Sequence, residues 1–383
     1  MRKKDILHIY AGSAGSAGSY IRELFLGLQP NFDQELVVNY YYPLSYGDAK
    51  RRFYRFSELS SPFKYRNKKI RLIIRYFELL FTLLYSYIYL ISHKVSVLNY
   101  NLTSDLFVEY LFLKIVKVTT KTKVLITCHD VVPFGTDDEL GLKKKILRKK
   151  MFFDLADFLI VHNESSKHDL QKHFQITDNI IQYPFPVMSL RTDNPLKKKS
   201  NGVIKFGMIG HIRNEKGLDV LIDAWRLFYK PDKNVELIIA GNFATSDAYD
   251  LSTFNGLSIK VIPSFLSDER YKQLIEELDV VILPYKRGTN SGIPSSVISL
   301  DSLLLTSDIP MFKCNPLIPL SFQFESKNAI SLAEKMNWLC SLTEEERQSY
   351  RSKNTNQLIN YRGLFIETTN QVYSNLINNN KDV

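Results

Sequence analysis

The chain has 383 residues, 45% of them hydrophobic, which is more than one domain needs for a packed core, and its net charge is +10. Its three cysteines, Cys128, Cys314 and Cys340, are widely spaced and form no CxxC pair, which excludes a disulfide framework, a zinc finger and a redox dithiol. Only Ile6–Tyr10 separates the basic start from a glycine-rich stretch, too short for the roughly 7 to 15 apolar residues of a secretory signal, so we expect a reduced, cytoplasmic protein.

The first predicted strand, Ile6–Tyr10, is followed by a glycine-rich loop and a helix that we expect to begin near Ser19 or Tyr20. The loop has a glycine at every third position: Gly12, Gly15 and Gly18. This spacing is not the G-x-G-x-x-G fingerprint, and no acidic residue follows at a strand end at the expected distance, so a nicotinamide enzyme is not expected. In a doubly wound domain the backbone of this turn passes close to a ligand. Gly12 and Gly15 are therefore candidates for phosphate or sugar contact, with a merely flexible turn as the alternative.

The positive charge lies in the N-terminal part of the chain: residues 1–150 hold 25 lysines and arginines against 13 aspartates and glutamates, a net charge of +12. Three basic runs carry much of it: Lys50–Arg55, Lys64–Arg71 and Lys143–Lys150. No zinc-finger spacing or RNA-recognition motif accompanies them, so nucleic acid is not expected, and an anionic lipid surface is the favoured partner. The alternative is that these runs are solvated faces of basic helices.

The most apolar segment runs from Ile70 to Lys94. Its longest stretch without a charged residue or histidine, Leu79–Ser92, has 14 residues, and a helix needs roughly 18 to 20 to cross a bilayer. Four tyrosines suit either a helix buried under a sheet or one lying at a membrane interface: Tyr76, Tyr85, Tyr87 and Tyr89. We favour the buried helix.

A second helix is expected over Asp138–Leu155, where apolar residues recur near helical spacing and six cations stand between them. The apolar positions are Leu142, Ile146, Leu147, Met151 and Leu155. This combination of apolar and positive side chains is typical of a helix at a membrane interface.

Short runs rich in isoleucine and valine alternate with helical stretches, and their continuous apolar character is typical of buried parallel strands. The expected strands are Ile6–Tyr10, Glu35–Tyr41, Val95–Tyr100, Val124–Cys128, Phe158–His162, Ile204–Gly210, Val235–Ala240, Ser258–Ile262 and Val280–Leu283. We predict an α/β fold of two doubly wound parallel-sheet domains facing a cleft. The domains cover residues 1–187 and 203–345, with a polar linker at 188–202 and a helical tail at 346–383 that packs back on the N-terminal domain.

The second half carries four sequence blocks in order: KFGMIGHIRNEKGLDVLIDAWRLF (Lys205 to Phe228), NVELIIAGNF, IKVIPSFLSDERYKQLIEELDVVILPY and SLLLTSDIPMF. Over residues 203–313 their order and spacing resemble the C-terminal domain of GT-B glycosyltransferases, in particular glycosyltransferase family 4. The N-terminal half resembles the family more loosely, through the glycine loop, ITCHDVVPF and ADFLIVHNESSKHDL. The resemblance implies two Rossmann-like domains and a nucleoside-diphosphate sugar as donor.

Sugar transfer from such a donor leaves a diphosphate, and its rate depends on stabilising the negative charge that develops there. The chain contains no Asp-x-Asp pair that would hold Mg²⁺, so we expect no metal cofactor. In the family the Arg and Lys of the block GHIRNEKG bind the diphosphate, and the resemblance implies this role for Arg213 and Lys216, beside Gly210. The alternative is a surface pair at a helix start, where cations oppose the helix dipole unless an anion binds.

His129 follows a predicted strand, and the resemblance places a histidine there near the donor sugar and its leaving phosphate. We expect His129 to hydrogen-bond the sugar or its reacting centre, because the carboxyl ends of parallel strands face the ligand in this architecture. A histidine bonded only to backbone is the alternative. The resemblance also places Ile262–Leu266 beside the nucleobase, with Phe265 as the side chain in contact.

The chain departs from the family at two acidic positions. Family members usually have glutamates spaced Glu-x7-Glu, and an ungapped alignment of the block SLLLTSDIP places Gly288 and Ser296 there. A polar loop occupies the region, with hydroxyl, amide and backbone N–H donors at an expected helix start: Thr289, Asn290, Ser291 and Gly292. We expect this loop to serve as an anion cradle.

The sequence therefore predicts a metal-independent glycosyltransferase that moves a sugar from a nucleotide-sugar donor to a lipid-linked or oligosaccharide acceptor, in bacterial surface polysaccharide synthesis. We expect it to be peripheral at the inner face of the cytoplasmic membrane. The resemblance implies retention of anomeric configuration. One alternative is a GT-B-like subunit that lost catalysis with its glutamates and serves as a scaffold, which the intact Arg213, Lys216 and His129 oppose. The other is a sugar-nucleotide epimerase of the same architecture, which would need no membrane surface.

Overall fold

A computed structural model describes residues 4–10, 16–28, 31–39, 53–56, 67–101, 105–133, 139–188, 202–243 and 256–378. The predicted contacts at Gly12 and Gly15 and most of the predicted linker lie outside these residues. The chain divides into two compact units: unit 1 comprises residues 1–186 and 363–383, and unit 2 comprises residues 187–362. Each unit is built on its own parallel β-sheet.

The described strands of unit 1 are β1 (Ile6–Tyr10), β2 (Gln34–Asn39), β3 (Phe53–Phe56), β4 (Val97–Tyr100), β5 (Lys123–Thr127), β6 (Phe158–Val161) and β7 (Ile180–Gln182). They form one sheet in the order β3-β2-β1-β4-β5-β6-β7, and all neighbouring pairs are parallel. The five strands predicted for this half are present. Two others lacked a sequence signal, because β3 overlaps the basic run Lys50–Arg55 and β7 has only three residues.

The described strands of unit 2 are β8 (Ile204–Ile209), β9 (Val235–Ala240), β10 (Ile259–Ile262), β11 (Val280–Leu283), β12 (Leu303–Ser307) and β13 (Gln323–Phe324). Their order is β10-β9-β8-β11-β12-β13, again with parallel neighbours. The predicted α/β class with two doubly wound parallel sheets is therefore confirmed. In each sheet the strand order reverses beside the first strand, at β1/β4 and at β8/β11, where α/β sheets bind ligands beyond the carboxyl ends of the strands.

The described α-helices are α1 (Ser16–Leu28), α2 (Lys68–His93), α3 (Phe107–Thr119), α4 (Glu139–Phe153), α5 (Glu164–Phe174), α6 (Leu218–Phe228), α7 (Asp268–Glu277), α8 (Ile293–Ser299), α9 (Pro310–Lys313), α10 (Ala329–Ser341) and α11 (Glu344–Asn378). Helix α1 begins at Ser16, about one turn earlier than predicted. Helices α2 to α5 contribute to a single apolar core with one face of the unit 1 sheet. The end of α11 packs within unit 1, where Asn370 donates to the Gly27 carbonyl of α1 and Lys123 of β5 donates to the Leu376 carbonyl.

Helix α2 is not the buried helix that the sequence favoured. Its inner side chains, including Leu79, Leu83 and Leu90, belong to the unit 1 core. An outer stripe of large apolar side chains is 45 to 62% exposed: Ile70, Ile73, Phe77, Phe81, Leu84, Ile88 and Ile91. By length and composition alone, Lys69–His93 is also sufficient to span a membrane, so the judgement that the segment is too short was wrong on that criterion. Nevertheless, α2 lies in the connection between strands β3 and β4 of the sheet.

The second predicted interfacial helix is present as α4. Ile146, Phe152 and Phe153 face the core, whereas Leu140, Leu147 and Met151 are exposed. The lysines of α4 do not all project freely: Lys149 donates a hydrogen bond to the backbone carbonyl of Asp130. Asp130 directly follows His129 in the sequence. Lys149, which the sequence analysis assigned to a membrane interface, therefore lies close to a predicted site residue.

Candidate active site

In unit 2 the site is organised by a tight turn between β8 and α6. A 3₁₀ turn, Asn214–Lys216, ends at Gly217, whose φ is 71°. A Cβ atom at Gly217 would lie 1.9 Å from the Pro284 carbonyl oxygen, which directly follows β11. Glycine is therefore required twice here, by the left-handed backbone and by the close approach. The turn is held against the carboxyl end of β11, at the switch point of the sheet.

This turn brings together the two predicted diphosphate cations. Arg213 immediately precedes the 3₁₀ turn and Lys216 ends it. The Lys216 ammonium lies 3.6 Å from the centroid of the Tyr285 ring, and Tyr285 is buried. A cation–π contact of this kind contributes about 0.5 to 2 kcal/mol and limits where the ammonium can move. Ser307 donates to the Tyr285 carbonyl at 2.6 Å, which ties the residue to β12.

Ion pairs connect the two loops of this switch point. Arg287 contacts Glu215 at 3.1 Å, and Lys286 contacts Asp219 at 2.7 Å. Burial acts to raise the pKa of Glu215, but backbone and Arg287 hydrogen bonds and the charges of Arg213 and Arg287 lower it on balance. The Glu215 carboxylate therefore stays ionised. Its negative charge balances part of the positive charge of Arg213 and Arg287 before an anion binds. Sequence reasoning missed Tyr285, Lys286 and Arg287 as site residues, although they stand directly before the polar loop it did select.

The polar loop lies where the sequence placed it, at a helix start. Helix α8 begins at Ile293 with Gly292 as its N-cap, and Ser291 accepts from the Ile293 backbone N–H at 3.4 Å. Thr289 is buried and Asn290 is half-buried. Since α8 has only seven residues, its dipole adds little to anion binding. The predicted cradle depends on the individual donors of the loop.

The two positions aligned with the family glutamates are closely packed. A Cβ atom at Gly288 would lie 2.8 Å from the sulfur of Met311, which is itself buried. The Ser296 hydroxyl is buried and donates to the carbonyls of Gly292 and Met188, each at 3.2 Å. A longer acidic side chain at either position would require its neighbours to move.

Two further residues of unit 2 were predicted to contact the nucleotide, Gly210 and Phe265. Gly210 follows β8 and has a φ of 127°, a conformation that only glycine adopts readily. Phe265 lies beyond β10 and is 72% exposed. An aromatic ring this exposed is available for stacking on a flat ligand, as the prediction requires.

In unit 1, His129 lies in a cluster of aromatic side chains beyond the ends of β5 and β6. Its ring is 4.6 Å from the ring of Tyr20, nearly perpendicular, and 6.4 Å from that of His162. Tyr20 and Tyr183 share a hydrogen bond of 2.8 Å between their hydroxyls. Sequence reasoning missed Tyr20, His162 and Tyr183, because aromatic residues in such patterns are far more often core than site.

His129 is held as a neutral imidazole. Its pKa is lowered to about 4, mainly by burial and also by the positive charge of Lys149, while a hydrogen bond to the Asn101 backbone opposes the shift. A neutral ring can donate from one nitrogen and accept at the other. His129 is thus suited to hydrogen-bond a sugar hydroxyl without adding charge.

The buried His162 gives a test of this environment. Its side chain bonds the Tyr183 carbonyl at 3.2 Å, and its pKa is lowered to about 3, mainly by burial and also by repulsion from His129 once that ring is protonated. Because its ordinary pKa is 6.5, the unfolded chain binds the proton more tightly. The associated stability is complete above pH 6.5 and is lost as the pH falls toward 3. We expect His162→Gln to reduce the pH dependence of the unfolding free energy by about 1.4 kcal/mol per pH unit between pH 6 and 4, measured by urea denaturation.

The matched control is His168→Gln, the same substitution at an exposed histidine of α5. Equal slopes for the unchanged chain and His162→Gln would contradict a buried neutral imidazole.

Within the described residues, no group of three or more His, Cys, Asp or Glu side chains is arranged to hold a metal ion. At the unit 2 switch point, the cationic residues Arg213 and Lys216 stand at the start and the end of the 3₁₀ turn.

Comparison with known proteins identifies the fold first. HepE of Anabaena, solved with UDP and glucose, superposes with a TM-score of 0.68 at 13% identity over 98% of this chain and 100% of its own. Sucrose-phosphate synthase of Thermosynechococcus elongatus superposes with a TM-score of 0.70 at 14% identity, covering 98% of this chain and 99% of its own. The two doubly wound units are those of the GT-B fold.

The sequence of unit 2 also matches a known family. Residues 191–357 match the family described as glycosyl transferases group 1, and the site at the β8/β11 switch point lies within them. This segment, which is less than half of the chain, is similar to the glycosyltransferases of that family. A stretch of 138 residues is 27% identical to an uncharacterised glycosyltransferase of Methanocaldococcus jannaschii. It spans 34% of this chain and only about a third, 34%, of that relative.

Proposed function

We propose that this protein transfers a sugar from a nucleoside-diphosphate sugar to an acceptor, and that Arg213 and Lys216 replace a metal ion at the diphosphate. The observation that carries the proposal is the seating of Lys216. Gly217 holds the turn that contains Lys216 against Pro284, and the Tyr285 ring holds the Lys216 ammonium in place. A cation fixed before the reaction stabilises the charge that develops on the leaving diphosphate without reorganising.

The donor class is supported by the neighbouring structures, since HepE has been solved with UDP and with UDP-glucose. We propose that the nucleotide occupies unit 2, with its diphosphate at the turn before α6 and its base beside Phe265. His129, a neutral imidazole, is proposed to hydrogen-bond the sugar. Retention of anomeric configuration is part of the proposal through the family resemblance.

We propose further that the acceptor is lipid-linked or an oligosaccharide in bacterial surface polysaccharide synthesis, and that the protein works at the inner face of the cytoplasmic membrane. The net charge of +12 in residues 1–150 supports an anionic surface as partner. The exposed apolar side chains of α2 support a surface that is also apolar.

The test is nucleotide binding in the presence of EDTA. We expect one of UDP, GDP or ADP to bind in the micromolar range, a free energy near −8 kcal/mol, and to raise the melting temperature. At a ligand concentration 100 times Kd the gain in unfolding free energy is about 2.7 kcal/mol. The matching nucleoside monophosphate is the control, and it should bind more weakly because it has one phosphate fewer for Arg213 and Lys216.

Two outcomes would contradict the proposal. A chain that binds no nucleotide at millimolar concentration would instead be a scaffold subunit. A chain that converts a nucleotide sugar to its epimer without any acceptor would be an epimerase.

A further inference from the structure

Two neighbouring helices of unit 1 expose apolar stripes on the same side of the sheet. The stripe of α2 runs from Ile70 to Ile91, which corresponds to about 31 Å along the helix axis. That of α3 comprises Phe107, Leu111, Ile115 and Val118, which are 39 to 78% exposed. The helices are adjacent, since Tyr87 of α2 donates to the Thr119 hydroxyl of α3 at 3.1 Å. Exposed apolar surface this continuous marks a binding surface in a folded protein.

The outer stripe of α2 is more uniformly apolar than its inner one. Thr82 and Ser86 lie on the buried side, where their hydroxyls donate to the carbonyls of Glu78 and Thr82, each at 2.7 Å. A helix that only packed on a sheet in water would have the opposite distribution. The outer stripe of α2 therefore requires an apolar environment of its own.

The charges of α2 and α3 select the chemistry of that environment. The described cations are exposed or partly exposed: Lys69, Arg71, Arg75, Lys114 and Lys117. The two acids of these helices are turned inward, since both carboxylate oxygens of Glu78 are buried and Glu109 accepts a hydrogen bond from Tyr100 inside the core. Lys117 pairs with Asp157 at 3.5 Å and donates to the Leu155 carbonyl. The other four cations flank the apolar side chains, a combination that is complementary to an anionic lipid surface.

The fold opposes insertion of α2 across the bilayer. Asn67 caps its first turn, Lys94 ends it in a left-handed conformation, and β4 begins at Val97. A helix that connects β3 to β4 of a parallel sheet must lie along that sheet. While unit 1 is folded, α2 can rest on a membrane but cannot cross it.

We infer that the exposed stripes of α2 and α3, here named the docking face, hold unit 1 on an anionic membrane, with the apolar side chains at the boundary of headgroups and acyl chains. This docking face adds a membrane-binding surface to the proposed function, and its biological use rests on the proposal of a lipid-linked acceptor. Docking itself is a property of the surface and is measured without turnover. Helix α4 adjoins the face through the contact of Phe152 with Tyr110 of α3, and its exposed lysines extend the positive rim.

The test is cosedimentation of the full chain with vesicles of phosphatidylcholine alone and of phosphatidylcholine with phosphatidylglycerol. We expect the triple variant Phe77→Ser, Phe81→Ser, Leu84→Ser to bind the anionic vesicles at least tenfold more weakly than the unchanged chain. The matched control is Leu227→Ser, Ile330→Ser, Ile359→Ser, which removes side chains from unit 2 that are 59 to 63% exposed, close to the 53 to 62% of the three test residues. The control should bind within twofold of the unchanged chain.

Charge is tested separately with Lys144→Gln, Lys145→Gln, Arg148→Gln, on the exposed side of α4. This variant should reduce binding to anionic vesicles as raised salt does, because each cation near the surface contributes and salt screens it. Lys149 is left unchanged, since it bonds the Asp130 carbonyl.

Depth distinguishes docking from spanning. In a Phe81→Trp variant, vesicles should shift the emission to shorter wavelength, and bromine near the lipid glycerol should quench it more than bromine at the bilayer centre. Stronger quenching at the centre would overturn docking in favour of a span.

Two other outcomes overturn the inference. One is equal vesicle binding by the triple variant and the unchanged chain, or no vesicle binding by either. The other is a dimer of the unchanged chain that the triple variant dissociates while vesicles bind neither, which assigns the face to a second copy. Nucleotide binding by the same variants reports separately on the proposed function and on folding, so its loss is not confused with loss of docking.

Discussion

Replacing Lys216 with alanine should lower kcat/KM by about a hundredfold to a thousandfold, equivalent to roughly 3 to 4 kcal/mol of transition-state stabilisation. The ammonium is held 3.6 Å above the Tyr285 ring, and the charge that it meets grows as the diphosphate leaves. We therefore expect kcat to fall more than KM rises. Arg213→Ala should have an effect of the same size, and the double variant should lose less than the sum because the two cations act on one group. Turnover with the nucleotide sugar found by the binding screen measures this.

The matched control is Arg226→Ala, an exposed arginine of α6 that pairs with Asp223 at the surface, which should change kcat/KM by less than twofold. The companion measurement is turnover in EDTA, which should equal turnover without it. Full loss of activity on chelation would disprove the replacement of a metal ion by Arg213 and Lys216.

Gly217→Ala should destabilise the fold by about 3 to 5 kcal/mol and abolish nucleotide binding together with it, since a strained backbone and a steric overlap act at one position. The φ of 71° disfavours any side chain, and the new Cβ would lie 1.9 Å from the Pro284 carbonyl oxygen. Relief of that overlap must move the turn that holds Lys216. Urea denaturation gives the free energy of unfolding, and calorimetric titration gives the nucleotide affinity.

Gly256→Ala separates the two effects. Gly256 has a φ of 78°, but among the described residues, apart from its chain neighbour, no atom lies within 4 Å of the position its Cβ would take. Only the cost of holding alanine in a left-handed backbone conformation remains there, about 1 to 2 kcal/mol of unfolding free energy. Nucleotide affinity should not change. If Gly217→Ala costs no more than Gly256→Ala and keeps its affinity, the turn does not depend on its approach to Pro284.

The strands were the most predictable part of the fold. Val235–Ala240 and Val280–Leu283 were found with their observed bounds, because a continuous run of β-branched and leucine residues indicates a strand buried on both faces. Strand β3 escaped because arginines surround Phe53–Phe56, and an edge strand needs fewer apolar residues than a central one.

The candidate site was predictable where a motif places chemistry in one short segment. Arg213 and Lys216 stand three residues apart in a single block, so sequence alone could select them. Tyr285 and Gly217 acquire their roles only through contact between distant loops. The buried packing at Gly288 and Ser296 likewise became visible only with Met311 and Met188 in place.

The sequence by itself predicted the two parallel sheets and most of their strands, and it selected Arg213 and Lys216 as candidates for the diphosphate, because hydrophobic runs and a compact motif are local properties of the chain. Only the tertiary structure decided which side of α2 faces outward, and that Lys149 bonds the Asp130 carbonyl beside His129. An apolar helix can bury either of its apolar stripes, and a lysine ammonium can be hydrated, contact lipid headgroups or hydrogen-bond a loop carbonyl. The choice is made by the partners that packing brings to each side chain, and those partners are far away in sequence.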